Sequence, residues 1–166
     1  MDFGEVARKK REQFENEQIE KTKKYEDQRL SSLELLNRQV MIVKTQIKPV
    51  LEEAKLKCMG EGIDLITEEH FEVASYTVPR RPMIKLQAMS PRRKADGYQA
   101  ASTPAFFEAD EEKVYVSRGA SSIDRSGKTP FISAAIGEHI DIVNDAIVFV
   151  IDSYFKEYPS WHWLGE

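Results

Sequence analysis

Cys58 is the only cysteine among the 166 residues of this chain. A single thiol excludes an internal disulfide framework and predicts a protein that folds in a reducing compartment. The chain also lacks any apolar run near the roughly 20 residues that a membrane-spanning helix needs, and residues 1–29 are charged throughout, unlike a signal peptide. We therefore expect a cytoplasmic protein with no membrane association.

Motifs for catalysis, cofactors and metals are also lacking. The sequence Ser126-Gly127-Lys128-Thr129 ends like a phosphate-binding loop, but Ser122 stands where that motif requires its first glycine. Polar clusters at 68–70 and 138–141 have no neighbouring nucleophile, so we interpret them as solvated surface. No zinc-ligand spacing relates His70, His139 and His162. We expect no catalytic residue, no cofactor and no metal, which makes a non-enzymatic binding protein the leading class.

Composition and charge bound the remaining choices. Apolar residues form 41% of the chain, enough for a modest core in one compact domain with an extension. Residues 1–58 carry 13 bases and 11 acids, residues 59–100 carry six of each, and residues 101–166 carry five bases and 11 acids. This distribution argues against a protein that coats nucleic acid and leaves room for a local basic patch.

Residues 30–57 show the clearest pattern in the sequence. Apolar side chains recur there at alternating steps of three and four, which is typical of the a/d seam of a coiled coil. This seam consists of Leu33, Leu36, Val40, Val43, Ile47, Val50 and Ala54. We predict that it forms the interface of a homodimer or higher homo-oligomer, with either parallel or antiparallel helices.

The seam belongs to a long helical arm and dimerisation segment that we predict over residues 1–58. One helix over most of that range would be about 80 Å long, which exceeds what a single small domain can bury. Between Arg8 and Arg29 the only large apolar residues are Phe14, Ile19 and Tyr25, so this half is predicted to be a solvated arm. Pro49 should either bend the helix or begin a new one.

Residues 59–166 are predicted to form a small α+β domain. Alternation predicts an antiparallel hairpin of strands 71–78 and 83–89, and a third strand at 113–118. Residues 63–69 are interpreted as a connector with a short strand at 63–66, and residues 90–110 and 119–129 as loops. The fold class is then α+β: a long coiled-coil-like N-terminal helix, followed by a three-stranded antiparallel sheet packed with a C-terminal helix.

The C-terminal helix is predicted over residues 133–157. Asp141, Asp145, Asp152 and Lys156 give a narrow polar stripe on an otherwise apolar cylinder, so we expect burial on most sides. The alternative is that residues 146–151 form a central strand, because a short β-branched apolar run is ambiguous. The resulting order of helix, three strands and helix resembles that of double-stranded RNA-binding domains, although the lysine-rich start of the last helix in that family is absent here.

Two further features suggest ligands. A basic set could contact phosphates, with Tyr98 or Phe106 available to stack on bases; it comprises Arg80, Arg81, Arg92, Arg93 and Lys94. Aromatic and apolar residues close the chain, either packing on a protein surface or docking into a protein partner: Trp161, Trp163 and Leu164.

The preferred interpretation is a non-enzymatic assembly or adaptor protein that self-associates through its N-terminal helix and binds other proteins. The alternative is a nucleic-acid-binding accessory protein that uses residues 80–94. Neither the partner nor the biological process can be read from the sequence.

Overall fold

A computed structural model of the chain describes residues 2–72, 81–93, 97–119 and 131–159, with the side chains of residues 92 and 93 excepted. We number its elements in chain order. They are α1 (Phe3–Ile42), a π-helical turn (Val43–Ile47), α2 (Lys48–Gly60), β1 (Asp64–His70), β2 (Met83–Arg93), β3 (Gln99–Ala101), β4 (Ala105–Ala109), β5 (Lys113–Arg118), β6 (Ile132–Ala135) and α3 (Ile140–Glu157).

The predicted long N-terminal helix is present. It begins where the Asp2 carboxylate accepts hydrogen bonds from the backbone N–H groups of Gly4 and Glu5, at 2.8 and 3.4 Å, as an N-cap residue does. It ends where Gly62 adopts a φ of +79° and the Ile63 N–H turns back to the Cys58 carbonyl at 2.9 Å. We refer to α1, the π-helical turn and α2 together as the rod, about 87 Å long at 1.5 Å per residue.

Pro49 neither breaks nor ends the rod. It lies in the first turn of α2, where its missing N–H removes no hydrogen bond that the helix needs. The preceding π-helical turn closes with the Lys48 N–H donating to the Val43 carbonyl five residues earlier. Because a π turn holds roughly one more residue than an α turn, side chains four apart fall close to one line. Val43 and Ile47 thereby face the same way.

The sheet is antiparallel, and its strands are hydrogen-bonded in the order β1-β2-β4-β5-β6, with β3 paired to β2 beyond β4. Its register places Leu65 opposite Ala88 and Phe107 between Ile84 and Val116. These side chains form one face of the sheet. Both α2 and α3 lie on that face, with the π-helical turn against β4. The core therefore forms between one sheet face and a layer of helices.

The rod is fixed to this core by residues of the predicted seam. Val43, Ile47 and Leu51 have no exposed surface and belong to the same cluster as Phe107 and Val143. Complete burial of an aliphatic side chain of this size stabilises the fold by about 1.5–3 kcal/mol. The C-terminal half of the seam is thus covered within a single chain.

The prediction of three strands was wrong, because the sheet contains six. Residues 90–110 are not one long loop: β2 continues to Arg93, and β3 and β4 follow. Residues 64–70 form strand β1 rather than a mere connector, and it is β1 that pairs with β2. Of the predicted strand 71–78, residues 71 and 72 are not in a strand and the rest lie outside the described residues. The topological resemblance to double-stranded RNA-binding domains does not survive these differences.

The C-terminal helix is present but begins later than predicted. Residues 132–135 form β6, Gly137 turns the chain with a φ of +98°, and α3 starts at Ile140. Residues 146–151 are helical, as preferred over the strand alternative. The four residues of the polar stripe are all exposed, but Val148 and Phe155 are exposed with them, so α3 is buried on one face only. No helix among the described residues is long and apolar enough to span a membrane.

His139 joins α3 to the rod. It was expected to be solvated, yet it is only 2% exposed. Its Nδ1 accepts a hydrogen bond from the Gly137 N–H at 3.1 Å, so Nε2 carries the proton and donates to the Gln46 carbonyl at 3.2 Å. The imidazole therefore links the start of α3 to a carbonyl of the π-helical turn.

We expect His139→Ala to lower the free energy of unfolding by about 2–4 kcal/mol, because it leaves a cavity and an unpaired Gln46 carbonyl. Urea denaturation measures this loss. His70→Ala is the matched control: its exposed side chain contacts only the exposed Glu68 among printed partners, and its effect should stay within about 0.5 kcal/mol. Equal effects of the two substitutions would contradict the structural role assigned to His139.

Candidate interaction surface

The first three quarters of α1 form an exposed arm. No residue of α1 is buried, and every residue from 2 to 31 is exposed. We call residues 3–31 the arm, which is about 43 Å long at 1.5 Å per residue. Local pairs support it, including Lys9 with Glu5 at 2.8 Å and Gln13 with Glu17 at 3.2 Å. The prediction of an arm in solvent is therefore confirmed for the single chain.

Three aromatic side chains lie along one line of this arm. Phe3, Phe14 and Tyr25 are spaced by 11 residues and are 76%, 60% and 59% exposed. Eleven residues make just over three helical turns, so successive members are rotated by only about 20°. The line continues to Leu36, another 11 residues on, and from there to the buried Val43. The aromatic line of the arm thus points the same way as the side chains that anchor the rod.

Charges on the arm are sorted into blocks. Residues 8–11 are all basic, residues 12–20 contain four glutamates and no base, and residues 21–24 contain three lysines. The pattern is nearly invisible in the net charge, because the blocks cancel. Its significance is that a second helix can meet either matching or opposing charges, depending on its direction and register.

The structure divides the predicted dimer interface into two parts. Val43 and Ile47 are occupied by the core of their own chain, and Val50 packs partly against it. The side chains of Leu33, Leu36 and Val40 are half-buried and retain exposed surface. Only this second group, together with the arm, is available to another molecule.

The predicted basic set is not one cluster. Arg81 precedes β2 and Arg92 lies near its other end, so their backbones are separated by about 36 Å at 3.3 Å per residue. Arg80 and Lys94 lie outside the described residues, and the side chains of Arg92 and Arg93 are not described. Of the aromatic residues considered for base stacking, Tyr98 is exposed, but Phe106 is buried.

Arg81 is engaged within the protein. Its Nε donates to the Glu108 carboxylate at 2.8 Å, and its guanidinium lies 3.7 Å from the centre of the Tyr115 ring. These contacts combine an ion pair with a cation–π interaction and join the start of β2 to β4 and β5. Arg81 thus has a structural role on the sheet face opposite the core.

Asp110 completes this network at the turn between β4 and β5. Its carboxylate accepts hydrogen bonds from the Tyr115 hydroxyl at 2.6 Å and from the N–H groups of Glu112 and Lys113 at 2.8 and 2.7 Å. Desolvation would raise the pKa of Asp110, but these hydrogen bonds and the charge of Arg81 outweigh it and lower the pKa. The hydrogen bond to Asp110 is the largest cause that raises the pKa of Tyr115.

Other candidate groups add no site to this picture. Among residues 2–72, 81–93, 97–119 and 131–159, no group of three or more His, Cys, Asp or Glu side chains could hold a metal ion. Cys58 is half-buried beside the core, and burial raises the pKa of its thiol. The predicted docking residues Trp161, Trp163 and Leu164 lie outside the described residues.

The aromatic line was missed in the sequence because its spacing is long. The seam at 30–57 repeats every three or four residues, whereas the arm repeats once in 11, so its members look isolated when taken singly. The signal that could have found them is the equal spacing of Phe3, Phe14, Tyr25, Leu36 and Ile47.

Comparison with protein-family models, with curated proteins and with solved structures finds no match to this chain.

We expect Asp110→Asn to lower the free energy of unfolding at pH 7 by about 1–2 kcal/mol, since it removes charge-assisted hydrogen bonds. A lowered pKa in the folded state means that the ionised carboxylate stabilises the protein above its unfolded-state pKa. That contribution is lost as the pH falls through the lower folded-state value. The difference between wild type and variant should therefore shrink towards pH 3 in urea titrations.

The control for this prediction is Asp152→Asn, which makes the same charge change at an exposed position of α3. A difference between Asp110→Asn and wild type that stays constant from pH 7 to pH 3 would show that the ionised carboxylate is not what stabilises the turn.

Proposed function

We propose that this chain is a non-enzymatic assembly protein that self-associates through its N-terminal helix and brings other proteins together. The single observation that carries the proposal is the arm: about 43 Å of helix with three exposed aromatic side chains on one line. Aromatic side chains are enriched at protein interfaces, where they contribute large contact areas.

The attachment of the arm supports the same role. The arm is continuous with the part of the rod whose Val43, Ile47 and Leu51 are completely buried in the core. A helix held in this way at one end presents its side chains in a fixed direction, which lowers the entropy cost of binding. The interaction surface that we propose comprises the arm and the adjoining half-exposed residues Leu33, Leu36 and Val40, in place of the buried part of the predicted seam.

We expect the mass of the protein to rise with concentration, from 19.1 kDa towards twice that value, in light scattering after nuclease treatment. The reason is that exposed aromatic side chains leave water when two arms meet. The ratio of absorbance at 260 and 280 nm should remain that of a protein. A mass of 19.1 kDa throughout the micromolar to millimolar range would refute self-association.

We expect Phe14→Asp to raise the dissociation constant of this self-association at least tenfold, because it places a charge where an aromatic ring is buried between molecules. Tenfold corresponds to about 1.4 kcal/mol. Ile19→Asp is the matched control, since Ile19 is 66% exposed on the same arm but points away from the aromatic line. Sedimentation equilibrium measures both variants, and equal weakening would show that the aromatic line is not the interface.

A further inference from the structure

We propose that the partner of the arm is the arm of a second copy of this chain, running antiparallel, with the two Phe14 side chains meeting at the twofold axis. This inference rests on the proposed self-association and specifies its geometry. The observations that carry it are the equal spacing of the aromatic side chains and the order of the charge blocks along the same helix.

Equal spacing makes the antiparallel arrangement self-complementary. If Phe14 lies opposite Phe14, then Phe3 of each chain lies opposite Tyr25 of the other, because both are 11 residues from the centre. A twofold interface requires the same surface on both molecules, and this line of three aromatic side chains provides it. In this register residue n faces approximately residue 28 − n.

The charge blocks favour the same register. Residues 8–11, which are all basic, face residues 17–20, which contain Glu17 and Glu20. Residues 21–24, with three lysines, face residues 4–7, with Glu5. The main like-charged pair is Asp2 with Glu26, at the ends of the overlap. Each favourable pairing occurs twice in the dimer because of the twofold symmetry.

A parallel dimer in register would have the opposite electrostatics. Residues 8–11 of one chain would face the same four bases of the other, and residues 12–20 would bring four glutamates against four. Like charges placed opposite each other across an interface are destabilising. The charge order therefore selects the direction of the second helix, which the aromatic line alone does not.

The size of the interface indicates its strength. Six aromatic side chains of about 150–250 Å² each, with the exposed fractions given above, bring roughly 600–1,000 Å² to the interface. This area lies below that of a standard specific interface, about 1,600 Å², before the aliphatic stems of the flanking lysines and arginines are added. We expect a dissociation constant in the micromolar range that increases with salt, because the flanking charges are exposed.

A charge exchange tests the direction. Lys10→Glu with Arg11→Glu, or Glu17→Lys with Glu20→Lys, places like charges opposite each other in the antiparallel dimer and should weaken it at least tenfold. All four substitutions together restore opposite charges and should return the dissociation constant to within about threefold of wild type. In a parallel dimer either pair alone would relieve repulsion and strengthen binding, which would overturn the inference. Far-UV circular dichroism confirms that each variant keeps its helix content.

Distances between spin labels provide an independent test in the Cys58→Ser background. Labels on Lys24→Cys should lie about 30 Å apart along the helix axis in the antiparallel dimer, since residue 24 faces residue 4. Labels on Gln13→Cys, near the twofold axis, should lie close together. A parallel dimer in register would bring both pairs of labels close together.

The outcomes separate this inference from the proposed function. A dimer with close labels at position 24, or one strengthened by a single charge reversal, overturns the antiparallel arrangement and leaves self-association standing. A protein that stays monomeric at every concentration overturns both. A dimer whose mass is unaffected by Phe14→Asp overturns the placement of the interface on the aromatic line.

Discussion

Burial of the rod against the sheet is the interaction on which the rest of this structure depends. Val43, Ile47 and Leu51 are completely buried against the sheet and α3, and the π-helical turn brings the first two into line. Without this contact, a helix as charged as α1 would gain little from the fold, because local ion pairs contribute only about 0.2–0.5 kcal/mol each. His139 reinforces the same junction from α3.

Two sides of the molecule follow from this junction. On the core face, small and aliphatic side chains from the central strands pack under the helices. On the opposite face, Arg81, Glu108 and Tyr115 link the strands through charge and aromatic contacts, with Asp110 fixing the adjacent turn. Charged groups that a sequence reader would offer to a ligand are thus partly committed to holding strands together, and the arm is the surface left for recognition.

The sequence predicted those elements whose periodicity is strong and missed those whose side chains do not alternate. The rod, β5 and the helical state of residues 146–151 followed from such patterns. All five residues of β4 are buried, so its sequence shows no polar face, and β1 is an edge strand whose exposed residues resemble a connector. The seam was recognised, but a sequence cannot say whether an apolar row is covered by its own chain or by another.

The 11-residue spacing has a consequence for how far apart the two ends of an assembly would be. Removing or adding three turns of the arm changes its reach by about 16 Å while rotating what lies beyond by only about 20°. Removing five residues would instead turn it by roughly 140°. The arm is therefore a spacer whose length can vary in fixed increments during evolution or engineering, with the bodies at its ends keeping their relative orientation.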